Sequence, residues 1–301
     1  LIDGVYLYNS NYKLQGLPFW ISVAAAEMAV LDLLGQVTGK SVGEVLGGVV
    51  RKQIPVYMAT NSRGYSAEET IERMVQMVEE TDTQAVKFKL GARMYYTAQT
   101  MARDKALIPL ARKTFGEQMT IYSDANGSFD VPAAVDLGRV LEEHNISFFE
   151  EPCPFDHYEE TKQIADLLRI RVSGGEQESS LQAFRWLIHH NAVQVVQPDL
   201  HYFGGFIRAT RVARMAEVAN LPVILHISGN GLGYLQMMHF ASSTPTIGEY
   251  QEYKGPNRDL PFNCASSDLQ VRDSHIRVPS GPGFGITIDP QFIENGTVIR
   301  G

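Results

Sequence analysis

Two cysteines, Cys153 and Cys264, are too few for a disulfide framework, and their spacing is not that of a zinc site. The chain must therefore fold around an ordinary apolar core, and a reducing cytoplasm is the expected compartment. No uninterrupted apolar run approaches the roughly 18 residues of a membrane span, so no membrane partner is expected. Lysine and arginine number 26 against 34 acids, a net charge of −8, and nothing basic clusters. Nucleic acid and anionic membranes are poor partners for such a surface. Ser/Gly linkers and low-complexity tracts are also missing. The first residue is Leu1 and not an initiator methionine, so the sequence is expected to begin inside a longer polypeptide, and a missing signal peptide says little.

What remains is a 301-residue chain, 44 % hydrophobic and 20 % charged, suited to one α/β barrel with additions. Its centre is the stretch from Ile121 to Glu176. Three short apolar runs there each end in an acid: Asp124, Glu150 and Glu176, at equal intervals of 26 residues. That interval holds one strand, one helix and two loops, a βα repeat. A lone acid at such a place is ordinarily a solvated loop residue or a helix cap. Three at one interval, each closing an apolar run, bring carboxylates to one edge of a parallel sheet, an all-oxygen cage for a hard divalent cation such as Mg²⁺.

The same alternation runs along most of the chain. A buried helix is predicted from about Phe19 to Thr38, stopped by Gly39, after a loop-like segment at 1–18. Ser41 with Glu44 and Ser66 with Glu69 are capping boxes opening two further helices. Strands are predicted at Ile54–Ala59, Ala85–Leu90, Thr120–Asp124, Ile146–Glu150, Val172–Glu176, Val193–Asp199, Pro222–His226 and Thr246–Glu249, with helices between them. Eight strands alternating with helices close most economically into a barrel, which leaves no sheet edge; the site then lies at the C-terminal strand ends.

Read in that order, the strand ends carry a set of chemical groups. Lys87 and Lys89, two apart, project from one strand face into the barrel mouth, where repulsion and burial are expected to lower the pKa of at least one and favour a neutral amine able to take a proton. Taken alone, such a pair fits an edge strand facing water. Asp199 and His226 end adjacent strands and can hydrogen-bond, the carboxylate fixing the imidazole tautomer. Glu249 closes the last strand, with Glu252 three residues on, so the assignment can slip between them. A cation on three carboxylates stabilises the dianion left when an α-proton departs, and bases on either side of that carbon allow racemisation or loss of a β-hydroxyl. Cys153 lacks a nearby His. Gly204-Gly205, His189-His190, His239 and Met237-Met238 read as helix packing, although a Gly-Gly at a helix N-terminus can also hold phosphate.

These residues resemble the mandelate racemase subgroup of the enolase superfamily over nearly the whole chain. The resemblance implies a modified TIM barrel, (β/α)₇β, over 51–277, and a partial α+β capping domain over 1–50 to which 278–301 returns. It implies one Mg²⁺ per chain on Asp124, Glu150 and Glu176, with Glu151 behind them. Lys89 is implied as the base with Lys87 beside it, Asp199 and His226 as a dyad, Glu249 as the strand-eight acid, and Asn126 near metal or substrate. A homo-oligomer, dimer to octamer, is a further implication. Relatives with both the Lys-x-Lys strand and the His-Asp dyad point to a dehydratase of a sugar acid, a small carboxylate substrate. The alternatives are a racemase or epimerase of a 2-hydroxy acid and a non-catalytic carboxylate-binding barrel. A cycloisomerase and enolase itself fit less well, since Asp199 and His226 stand where a base lysine is expected.

Overall fold

The computed structural model describes residues 2–60, 63–228, 231–254 and 262–297. Period-two side-chain alternation sorts the barrel strands into an inner and an outer face. On β2 (Ala85–Lys89), Val86 and Phe88 face the helices while Ala85, Lys87 and Lys89 face inward. On β3 (Thr120–Asp124), Ile121 packs outward, and Tyr122 and Asp124 point in. β4 (Phe148–Glu150) turns Phe149 outward, with Phe148 and Glu150 inside. The barrel floor is aromatic: Tyr122 stacks on Phe148 at 4.0 Å and meets the Tyr57 ring edge-on at 5.0 Å.

The parallel sheet runs β6 (Val195–Val196), β5 (Arg171–Gly174), β4, β3, β2, β1 (Gln53–Ala59), β7 (Gln251–Tyr253). Single bridges from Val223 to Val196 and to Ile247 carry the ladder across the remaining position, so residues 222–226 stand where the seventh barrel strand is expected. That position has few ladder bonds, and side chains replace them: Gln251 accepts from the Leu225 amide at 3.0 Å and Glu252 from the Ile227 amide at 3.1 Å. The (β/α)₇β order is completed by α4 (Ala67–Thr81), α5 (Ala98–Phe115), α6 (Val131–Glu143), α7 (Tyr158–Leu167), α8 (Leu181–His189), α9 (Phe206–Val218) and α10 (Leu232–Ser243). The capping boxes of Ser41 and Ser66 both form.

Three expectations change. Residues before Gly16 are not loop: they form α1 (Ile2–Leu7) and a 3₁₀ segment (Tyr8–Leu14), whose Tyr6 stacks on Trp20 at 5.4 Å. The last barrel strand is Gln251–Tyr253 and not Thr246–Glu249. And α2 (Leu17–Thr38) is by length and composition apolar enough to cross a membrane. Its two carboxylates, however, are bonded to this protein's own backbone: Glu27 caps α9 through the Phe206 and Ile207 amides (2.5 and 3.2 Å), and Asp32 accepts from Phe284 at 2.8 Å.

The chain returns to α2 and α3 (Val42–Val45) near its end, where Gly283 accepts from Val42 and donates to Lys40. Gly283 has a φ of +65°, and a Cβ there would meet Asp32 at 2.1 Å, so glycine is required. The short pieces β8 (Phe262–Asn263), β9 (His275–Arg277), β10 (Thr287–Ile288) and α11 (Pro290–Glu294) finish the fold; β9 pairs antiparallel with β1. The last four residues of the 278–301 return lie outside the described residues.

Candidate metal and proton-transfer site

Sheet register sets the core of the site. Lys89 is the Cα partner of Asp124, and Asp124 of Glu150, so three inward-facing residues on consecutive strands form one row at the barrel mouth. Glu176 follows β5 after Gly174-Gly175. Gly175 has a φ of +114°, and a Cβ there would press on Phe184 at 2.5 Å; glycine lets the chain turn so that Glu176 joins the row. One oxygen from each of Asp124, Glu150 and Glu176 lies within 4.8 Å of the others, and all three side chains are buried. Adjacent strand residues ordinarily face opposite ways, yet both Glu150 and Glu151 reach the cluster. Glu151 does so through a left-handed backbone (φ +39°), and Asn126 (φ +42°) meets it, its Nδ2 3.5 Å from Glu151 and 3.2 Å from Glu176.

The electrostatics of this cluster fit a cation. Burial, and then the charge of Asp124, push the Glu150 carboxyl up to about 8. Glu151 is raised by burial and by the charge of Glu176. Asp124, despite burial, is held down at about 2 by Lys89, Lys87 and Arg63. Among the described residues Glu150 Oε1 has no hydrogen-bond partner although buried. Carboxylates crowded this way cannot all ionise without a compensating cation, and an oxygen-only donor set suits a hard one. The residues present therefore fit Mg²⁺.

The two lysines have different settings. Lys87 is fully buried, 2.7 Å from Glu150, 3.1 Å from Glu252, and 5.1 Å from the centre of the Tyr57 ring. Burial alone favours the neutral amine, but Glu150 and Glu252 outweigh it and raise the Lys87 pKa well above the ordinary value. The expected lowering does not occur at Lys87. Lys89 touches the Asp124 carboxylate and lies 3.5 Å from Asn126 Oδ1, at the edge of the mouth.

At the other end of the triad, Asp199 accepts from His226 Nδ1 at 2.8 Å. It is also saturated by the Ser228 amide and hydroxyl (2.7 and 2.8 Å) and by the amides of His201 and Tyr202. The Asp199 carboxylate therefore fixes the imidazole, leaving Nε2 pointing at Glu176, 3.5 Å away. Burial opposes charging of His226, but Glu176 and the Asp199 bond together push it up to about 9.

The strand-eight acid is corrected. Glu249 lies exposed before β7, whereas Glu252 is buried in the mouth between Lys87 and Lys254 (3.1 and 3.4 Å). Burial opposes its ionisation, but Lys87 and Lys254 hold its pKa well below the ordinary value. We expect Glu252→Gln to cut activity at least tenfold and to destabilise the fold by about 3 kcal/mol, because it leaves Lys87 short of a buried partner. Glu249→Gln should change stability by less than about 0.5 kcal/mol and leave turnover within twofold. Urea unfolding and initial rates on the two variants check this.

Four more residues enter the site without having been singled out. Gln197 donates to Glu150 at 3.0 Å, Lys254 pairs with Glu252, Ser228 holds Asp199, and Arg63 donates to Asn126. Gln197 stands two residues before Asp199 and Lys254 two after Glu252, so the spacing that flagged Lys87 and Lys89 flags these as well once the strands are placed. Arg63 lies in a loop and carries no such signal.

Outside the cluster, Asp104 of α5 accepts from the Gly91 amide at 2.7 Å and pairs with Arg103 at 2.6 Å, fixing the loop after β2. Burial pushes its carboxyl up to about 6. Its folded pKa is raised, so the folded state holds the proton between about pH 4 and 6 where the unfolded chain has lost it. Stability from this group is present at low pH and lost as pH rises through 6, up to about 3 kcal/mol. Asp104→Asn should flatten that part of the stability curve, as read from urea midpoints at pH 4.5 and 7.

Comparison with known proteins agrees with this geometry. The enolase C-terminal domain-like family matches residues 69–292, most of the barrel and its C-terminal return. The chain belongs to this family. An arabinonate dehydratase of Saccharolobus solfataricus is 28 % identical over 293 residues, spanning 96 % of this chain and 75 % of that enzyme. A chloromuconate cycloisomerase of Cupriavidus necator is 27 % identical over 91 % of this chain and 72 % of its own length. A mandelate racemase/muconate lactonizing protein from Paracoccus denitrificans, solved in complex with magnesium, superposes with a TM-score of 0.87 at 27 % identity, covering 96 % of this chain and 78 % of that one. This is thus an enolase superfamily enzyme fold, a modified TIM barrel of the kind shared by dehydratases, racemases and cycloisomerases.

Proposed function

We propose that this chain is a Mg²⁺-dependent dehydratase of a sugar acid, an aldonate or aldarate. The observation that carries the reading is the placement of two different proton-handling groups at opposite ends of one carboxylate triad: Lys89 against Asp124, and the Asp199–His226 dyad against Glu176. Asp124, Glu150 and Glu176 would hold Mg²⁺, which when bound would supply positive charge opposite a substrate carboxylate and the negative charge that develops as the α-proton leaves. Lys89 takes that proton. Protonated His226, oriented by Asp199, delivers a proton to the β-hydroxyl, which departs as water, and the resulting enol becomes a 2-keto-3-deoxy acid. Lys87 and Lys254, paired with Glu252, keep a fixed positive potential at the mouth without taking part in proton transfer. The name of the arabinonate dehydratase relative supports this substrate class.

Bases at both ends of the triad also favour a second reading, 1,1-proton transfer in a racemase or epimerase. Incubation with Mg²⁺ and a panel of aldonic and aldaric acids separates the two. Keto product detected with a carbonyl reagent supports dehydration. α-Hydrogen exchange in D₂O without keto product supports the racemase. Neither, with binding retained, rejects both.

A further inference from the structure

We propose that Tyr202 binds the hydroxyl that leaves: its phenol donates a hydrogen bond to the oxygen on the substrate carbon next to the one that loses its proton. This rests on reading the site as a dehydratase of sugar acids.

Asp199 organises the loop after β6. Its carboxylate accepts from the amides of His201 at 2.7 Å and Tyr202 at 2.9 Å, and its carbonyl accepts from the Phe203 amide at 2.9 Å. The side chains on either side of Tyr202 are committed elsewhere. His201 Nε2 meets Gln236 Oε1 of α10 at 2.5 Å, and Phe203 is buried edge-on against Phe184 at 5.0 Å. Tyr202, between them, is half-buried and brings its ring to His226, with 6.0 Å between the ring centres and 31° between the planes. The carboxylate that orients the imidazole therefore also fixes the backbone that presents the phenol.

The phenol stands over the mouth. Burial, then the charges of Asp199 and Glu176, raise its pKa, and Arg93 lowers it. Glu176 follows β5 and Asp199 follows β6, whereas Arg93 belongs to the loop after β2, four strands away around the barrel. A group acted on from both sides lies across the opening between them. Asp199 and Glu176 are also the two acids that bracket His226, through Nδ1 at 2.8 Å and Nε2 at 3.5 Å. An atom that takes a proton from Nε2 thus sits beside the phenol. As the C–O bond breaks, its electron pair and the proton from His226 both go to the departing oxygen, which leaves as water. The phenol keeps its own proton and, as a donor, stabilises the negative charge that builds on that oxygen. A ring placed only to pack against the imidazole needs no hydroxyl.

The test uses the full chain with Mg²⁺ and six-carbon aldonates, each paired with its 3-deoxy analogue. Tyr202→Phe is expected to lower kcat for keto product about 30-fold with KM within about threefold, and to raise the ratio of α-hydrogen exchange to keto product by about the same factor, because Lys89 is untouched. Tyr202→Leu, which also removes the ring, should lose at least as much. A Tyr202→Phe variant with wild-type kcat, whatever Tyr202→Leu does, assigns the residue to packing and overturns the proposal. So does a Tyr202→Phe variant that loses exchange and product in equal measure. The dehydratase reading fails separately, when the wild type makes keto product from no acid. Calorimetry then decides: an aldonate bound about tenfold tighter than its 3-deoxy analogue by the wild type, with the difference gone in Tyr202→Phe, upholds the contact. A difference that survives the substitution, or none in the wild type, overturns it.

Discussion

Lys89→Ala is expected to lower turnover by at least 10³-fold and to abolish α-proton exchange on one face of the substrate. General acid–base groups contribute about 10²–10⁴-fold, and the upper part of that range applies because the other amine near Asp124, Lys87 at 3.9 Å, is held by Glu150 and Glu252. Lys87 cannot substitute: it lies deeper, paired with Glu150 and Glu252, and its charge is held. Alanine also strips a cationic partner from Asp124, so a loss of rate alone is ambiguous. The deciding measurement is exchange in D₂O with cation affinity measured alongside. If Lys89→Ala binds Mg²⁺ within tenfold of wild type and still exchanges at the normal rate, Lys89 is not the base. His226→Asn supplies the complement: it should retain exchange directed by Lys89 while losing keto product, since the group that protonates the leaving hydroxyl is gone.

Cation binding is expected to release close to one proton per chain at pH 7 and to raise the unfolding temperature. Glu150 is protonated in the cation-free site below about pH 8, because burial and the Asp124 charge favour the neutral acid. A cation needs its carboxylate. Proton and cation therefore compete, and apparent Mg²⁺ affinity should fall about tenfold for each pH unit below 8. The sign follows from the raised pKa: low pH stabilises the cation-free form, and rising pH favours the loaded one. At a hundred times its dissociation constant the ion adds about 2.7 kcal/mol of stability. Calorimetry in two buffers of different ionisation enthalpy counts the proton, and a thermal melt with chelator or Mg²⁺ measures the stabilisation. Glu150→Gln should abolish both effects. An unchanged melting temperature across millimolar Mg²⁺ would reject the triad as a cation site.

The sequence by itself determined the barrel, the three acids and the inward lysines. Strand alternation and a repeated βα interval are local properties, and they place Asp124, Glu150, Lys87 and Lys89 on one face before any tertiary contact is considered. Asp199 and His226 were legible for the same reason. Register then decided what lies next to what: Lys89 beside Asp124, and Lys87 between Glu150 and Glu252. That raised the Lys87 pKa, because paired acids outweigh burial, and no linear spacing reports which of the two lysines will be so paired. The last strand was misplaced because Thr246-Ile-Gly-Glu249 looks apolar and Gln251-Glu252 looks like loop. In the fold those polar side chains are buried, satisfying the amides of Leu225 and Ile227 where the ladder is incomplete. Arg63 was invisible for a related reason. A loop arginine has no period, and only the fold brings it against Asn126 and Asp124.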